Sequence, residues 1–70
     1  MDRKNIESSM LRSIGYDADS STLELEFNNG AVWQYFDFPE SLWYEFEAAE
    51  SQGKYFLREI KNQYSESRVG

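Results

Sequence analysis

The segment that most constrains this chain is the turn Asn28-Asn29-Gly30 between two strand-like runs, Thr22 to Phe27 and Val32 to Phe36. Thr22-Leu23-Glu24-Leu25-Glu26-Phe27 alternates apolar and polar residues with period two, the mark of a half-buried antiparallel strand. Leu23, Leu25 and Phe27 are expected inward, and Thr22, Glu24 and Glu26 toward water. The turn permits two registers. A two-residue loop at Asn29-Gly30 would leave Trp33 and Tyr35 on the outer face. A three-residue loop with left-handed Gly30 pairs Phe27 with Ala31, Leu25 with Trp33 and Leu23 with Tyr35. A one-residue slip turns every side chain over, and only the second register gathers all five large side chains on one face. The three-residue loop is therefore expected.

The flanks supply the other elements. Met10 to Tyr16 reads as a first strand, with Met10, Arg12 and Ile14 on one face and Leu11 and Ser13 on the other. Gly15 within it suggests a bulge or a close backbone approach. Asp17 to Ser21 is a turn by composition. Pro39 suits a helix start and keeps Phe38 extended, and Leu42, Trp43, Phe46 and Ala49 follow at helical spacing. Gly53 is read as the stop of that helix. A second helix is expected from Lys54 to Tyr64, with Phe56, Leu57, Ile60 and Tyr64 inward. The order predicts an α+β fold: a three-stranded antiparallel β-meander followed by two α-helices packed on one face. Residues 1–8 and 65–70 are polar and expected to fray, leaving a domain over 9–64.

Composition narrows the chemistry. At 70 residues the chain sits near the lower limit for folding without a staple, and its 17% aromatic content is the compact way to fill a small core. Cysteine and histidine are both absent, which removes disulfides, thiolate metal sites and the commonest general base. A net charge of −6 lowers the expectation of generic nucleic-acid or anionic-membrane binding. No apolar run matches a membrane span or signal core, so a cytoplasmic, stand-alone chain is the default expectation.

Several motifs resolve into bland chemistry. Gly53-Lys54 lacks the upstream glycine and following hydroxyl of a P-loop. Asp17 and Asp19 lack the glycine and final glutamate of a calcium loop. Serines have no histidine partner and no nucleophile elbow, so no catalytic site and no cofactor are expected. Trp33 and Tyr35 could stack bases, but core packing is the weightier reading in so small a domain. Lys54, Arg58 and Lys61 recur at helical spacing beside Tyr55, and amides after Gly53 could face an anion. That stripe is the leading phosphate candidate, with Arg12 as an accessory.

The chain resembles the KTSC domain, a short module that stands alone in bacteria and phages or ends some lysyl-tRNA synthetases. The resemblance rests on Ser9, Ile14-Gly15-Tyr16-Asp17, Leu23, Phe27, Gly30, the central aromatic pair, and Ser51-Gln52-Gly53-Lys54-Tyr55-Phe56 with Ile60-Lys61. Trp33 stands where the family usually has the first tyrosine of Tyr-x-Tyr, so the ring is kept and the hydroxyl lost. The resemblance implies a small α+β fold and, as a suggested role, RNA binding. Two functions are thus expected in competition. One is a non-catalytic module for single-stranded RNA or a nucleotide at Arg12, Lys54, Tyr55, Arg58 and Lys61, without DNA specificity. The other is a protein-interaction or self-associating adaptor using the sheet face or edge, where Val32 and Phe36 are exposed.

Overall fold

The computed structural model describes residues 1–70 as an antiparallel sheet of five strands in the order β1-β2-β3-β4-β5, covered on one face by helices. The strands are β1 (Lys4–Asn5), β2 (Leu11–Asp17), β3 (Thr22–Phe27), β4 (Val32–Tyr35) and β5 (Glu66–Arg68). Helix α1 spans Glu40–Ala48, and α2, Gln52–Tyr55, widens into a π-helical turn over Phe56–Ile60.

The hairpin takes the expected register. Phe27 exchanges backbone contact with Ala31 (N–H to O, 2.9 Å), Leu25 lies opposite Trp33 and Leu23 opposite Tyr35. Gly30 adopts φ +93°, which a side chain would resist. The sheet is larger than the three-stranded meander expected, because both ends pair. Lys4 and Asn5 pair with Ile14 and Ser13, and residues 66–68 pair with Tyr35, Gln34 and Trp33. Neither end alternates in polarity, since each is held by backbone rather than by an apolar face.

The first strand also differs. Its bulge falls at Arg12 rather than at Gly15, where the register shifts between Leu11 and Ser13. The extra residue rotates Arg12 to solvent and puts Leu11, Ile14 and Tyr16 opposite Phe27, Leu25 and Leu23. Arg12 therefore does not share a face with Ile14 as the alternation suggests, whereas Leu11 does and Met10 packs against the margin of the core. Gly15 is instead a point of close approach: an added Cβ would lie 2.5 Å from the Asp2 carbonyl oxygen.

That approach changes the outer face. Asp2 and Arg3 lie against it beside Gly15, and Thr22 and Glu24 are buried rather than washed by water, with Glu24 8% exposed. The Glu24 carboxylate accepts from Arg3 Nη1 at 2.7 Å and from Gln34 Nε2 at 2.8 Å, and Ser13 Oγ donates to Glu26 at 2.9 Å. Such pairing is what allows a carboxylate to be buried. Val32 and Phe36 are half-buried, Val32 packing beside Gly70.

The core lies between sheet and helices: Leu11, Ile14, Leu23, Leu25, Tyr35 and Phe38 meet Phe46, Tyr55, Phe56 and Ile60. Pro39 starts α1 as expected, its carbonyl accepting from Leu42 and Trp43. Trp43 stacks on Tyr16 at 5.6 Å, and Phe46 is fully buried. Gly53 is not the stop of α1, which ends near Ala48; it lies inside the first turn of α2, where a Cβ would come 3.2 Å from Ser8 Oγ. The hydroxyl of Ser51 caps α2 by accepting the Lys54 N–H. The second helix therefore begins before Lys54 and ends at Ile60 rather than Tyr64. In the π turn, closed by Lys61 N–H to Phe56 O at 2.8 Å, Phe56 and Ile60 point inward while Leu57, Arg58 and Glu59 point out. Leu57, expected inward, is 49% exposed.

Candidate functional site

Helix α2 divides the surface of the helical layer. Tyr55 faces α1, with its ring 5.3 Å from Phe46, and Phe56 faces the hairpin, 5.3 Å from Phe27 and 5.9 Å from Tyr35. Open clefts occur on both sides.

The α1–α2 cleft, about 500 Å³, holds Lys54, Tyr55 and Arg58 together with Glu45, Glu50 and Ser51. The expected basic stripe is only partly assembled there. Lys61 lies at the C-terminal cap of the π turn, outside the cleft, because the wide turn breaks the four-residue phase that would align it. Arg58 Nε is paired with Glu59 at 2.9 Å, and its guanidinium sits 5.7 Å over the Tyr55 ring. Tyr55 is 5% exposed, so its ring faces are taken by the protein and cannot serve a base. The Lys54 amide is taken by the Ser51 cap. Glu45 and Glu50 match the charges of Lys54 and Arg58, leaving no net attraction for phosphate.

The hairpin cleft, about 380 Å³, is lined by Met10, Phe27, Asn28, Asn29, Ala31 and Trp33. The aromatic pair is split here: Tyr35 is core, 3% exposed, whereas Trp33 is half-buried with part of its indole in the cleft. The indole N–H makes no hydrogen bond within the protein. Asn29 uses its side-chain oxygen on the Ala31 amide, leaving its NH₂ free, and the Asn28 carbonyl accepts from Arg12 Nη2 at 3.0 Å. Arg12 thus stands at the Asn28 wall, with Glu26 only a distant partner at 3.9 Å. A third cleft is lined by Met1, Tyr16, Ala18 and three aspartates, Asp2, Asp17 and Asp19. Among the three clefts, only the hairpin cleft contains no carboxylate.

Sequence reasoning missed this cleft because its walls come from the segment before β2 and both sides of the turn. The available signal was the hairpin register, which sets Trp33 beside the turn asparagines.

The tyrosines respond to burial. Desolvation and, next, Glu66 push the Tyr35 hydroxyl up to about 12. Desolvation, then nearby carboxylates, also raise Tyr55 and Tyr64. In each case the folded state holds a proton that the unfolded state releases above its ordinary value of 10.0. Their contribution is therefore fully present below pH 10 and is lost as pH rises toward 12. Urea titrations are expected to give constant stability from pH 7 to 9 and a steady fall above 10, about as Tyr35 predicts; a flat curve to pH 12 would show these hydroxyls to be solvated.

A sheet with a two-helix cover and an aromatic centre defines a class of small α+β domains. The chain belongs to the KTSC domain family, whose model matches residues 7–64. It is 38% identical over 64 residues to a protein of Stutzerimonas stutzeri, covering 91% of this chain and 90% of that one. It is 36% identical over 58 residues to a lysine–tRNA ligase of Nostoc, covering 83% of this chain and 10% of the ligase, so the chain spans about a tenth of that relative's length. The crystal structure of a KTSC domain protein from Yersinia pestis superposes with a TM-score of 0.93 at 36% identity, covering 99% of this chain and 97% of that one. The domain therefore occurs both alone and within lysine–tRNA ligases. No helix is long and apolar enough to cross a membrane.

Proposed function

We propose that this chain is a non-catalytic binding module for an unpaired nucleobase, carried by single-stranded RNA or by a free nucleotide, and that the hairpin cleft is its site. The observation that carries this reading is the half-exposed Trp33 in the one cleft free of carboxylates on a chain of net charge −6. A ring stacks on the indole, the Asn29 amide offers donors to its edge, and Arg12 attracts phosphate. Lys54 and Arg58, placed at a charge-balanced cleft, contribute to longer ligands only.

The test is a titration with a short single-stranded RNA of mixed sequence. Trp33→Leu keeps the apolar bulk against Leu25 and is expected to lower affinity by about tenfold, the value of roughly 1–3 kcal/mol for a base stacked on an aromatic ring. Trp43→Leu is the control, since Trp43 packs on Tyr16 at the opposite end of the sheet from the turn. Unchanged binding in Trp33→Leu removes the reading. With few phosphates engaged, affinity should fall only shallowly with salt.

A second reading, protein association, is favoured by the outward Tyr44 (59% exposed) and Leu57 (49% exposed) on the helical layer. Concentration-dependent sedimentation would support it, and a monomer at all concentrations would dismiss it.

A further inference from the structure

We infer that two copies of this chain associate edge to edge through β5, antiparallel, with the two-fold axis at Ser67. The inference is independent of the nucleobase reading and concerns a surface that reading does not use.

β5 is one of the two outer strands of the sheet, and an outer strand turns half of its main-chain donors and acceptors away from its neighbour. The hydrogen bonds to β4 define which half. Phe36 N–H donates to Ser65 O at 2.9 Å, and Val69 N–H donates to Val32 O at 2.8 Å. Ser65 and Val69 thus direct their peptide groups toward β4. By the two-residue alternation of an antiparallel ladder, Ser67, opposite Gln34, does the same. The N–H and C=O of Glu66 and Arg68 point the other way, off the sheet. Glu66, Ser67 and Arg68 are all exposed and Val69 is 52% exposed, so this edge is uncovered.

That phase limits how a second β5 can add. Outward-pointing residues must meet outward-pointing residues, so a two-fold pairing within the strand has three centres: Glu66, Ser67 or Arg68. Centring on Glu66 or on Arg68 sets that residue against its own copy, a like-charge pair that destabilises a ladder. Centring on Ser67 sets each Glu66 opposite Arg68 of the other copy, and each such pair exchanges both of its N–H to O bonds. Opposed residues project from the same face, so the carboxylate and the guanidinium also meet. Glu66 takes no part in the ion pairs within the chain, which use Glu24, Glu26, Glu47 and Glu59. Arg68 donates from Nε to Gly70 O at 2.8 Å, and its two Nη groups carry the remaining donors of the fork.

Charges on an edge ordinarily keep strands from pairing. Here one acid and one base stand symmetrically about Ser67, which makes the edge complementary to itself in one register. The other edge has no such arrangement: β1 is two residues long, and its Lys4 is already paired with Glu47. A two-fold contact closes after two copies, giving a dimer and not a fibre. A three-residue edge buries far less than the roughly 1,200–2,000 Å² of a standard interface, so the dimer is weak and forms at high protein concentration. Each chain carries a net charge of −6. At about 0.15 M salt the screening length is about 8 Å, which damps that overall repulsion and keeps the contact pairs.

The experiment is sedimentation equilibrium with amide exchange of the intact chain, from about 10 μM to about 1 mM at about 0.15 M salt. A monomer–dimer equilibrium is expected, with the amides of Glu66 and Arg68 gaining protection as concentration rises and those of Ser67 and Val69 protected throughout. Glu66→Arg and Arg68→Glu each set like charges opposite in two pairs, and each should weaken dimerisation by about tenfold. Combining them restores both the opposition and the net charge, and should restore dimerisation. A monomer at every concentration would overturn the inference. So would a dimer indifferent to the single variants, which would place the contact elsewhere, or a combined variant that fails to recover. Growth beyond two copies would overturn the closed pairing. Cross-peaks between β4 and β5, retained at low concentration, separate a lost contact from a lost strand. The protection pattern of the unaltered chain tests the inference without any variant.

Discussion

Replacing Phe38 by alanine is expected to unfold the protein at ordinary temperature. Phe38 is fully buried and packs edge-on against Tyr16 (6.2 Å) and Tyr64 (5.0 Å). Its backbone is equally committed: the amide donates to Ser21 O at 2.9 Å, and the carbonyl accepts the Tyr16 hydroxyl. Truncating a buried phenylalanine costs about 3–5 kcal/mol, and a domain of this size rarely has more than roughly 3–5 kcal/mol to lose. The ring also links the sheet, the start of α1 and the segment after α2, so no single element can close over the gap. Phe38→Leu, which keeps most of the volume, should lose only about 1.5 kcal/mol and stay folded. Circular dichroism melts and proton spectra check both variants. An alanine variant with dispersed signals and an unshifted melt would show that the three elements hold together without the ring.

The second large effect is expected at Gly15, for a different reason. An alanine Cβ there would sit 2.5 Å from the Asp2 carbonyl oxygen and 2.9 Å from Arg3 Cγ. The nearest obstacle is backbone, so the N-terminal arm must leave the outer face. With it go the β1–β2 pairing, the Arg3–Glu24 pair at 2.7 Å and the Lys4–Glu47 pair at 2.9 Å. Glu24 is then left with Gln34 alone in a site made for two partners. Together these should lower stability by about 1–3 kcal/mol. Hydrogen exchange should show β1 and Ile6 losing protection while Phe56 and the π turn keep theirs. Adding Arg3→Ala should cost little more, because the two changes remove the same contacts. An unshifted midpoint with β1 still protected would contradict the close approach.

Much of the centre of the fold was legible along the chain. The alternation of Leu23, Leu25 and Phe27 and the turn before Ala31 select one register, because the alternative would expose two large rings. Pro39 and the spacing of Leu42, Trp43 and Phe46 likewise define α1. Both signals are local, so a reading along the chain can find them. The bulge at Arg12, the arm over Gly15 and the edge strand at residues 66–68 left no such trace. Glu24 looks like a water-facing residue by alternation and is buried because an arginine 21 positions earlier lies over it.

The same division runs through the candidate site. The sequence singled out Trp33, Tyr35 and the cations of α2, but assigned the rings to one fate and the cations to one stripe. Tertiary contacts separated Tyr35 from Trp33, since Phe56 covers the first and the turn leaves the second open. They also broke the stripe, because a π turn shifted Lys61 out of phase and Glu59 took Arg58.

By itself the sequence determined the family, the α+β class, the hairpin register and the aromatic core, all of which follow from periodicity and turn chemistry within short windows. Only the tertiary structure decided how many strands the sheet has, which carboxylates are buried, and which ring of the central aromatic pair reaches the cleft beside the turn amides. Those properties depend on backbone pairing between chain ends and on packing across long separations, neither of which leaves a mark on side-chain pattern.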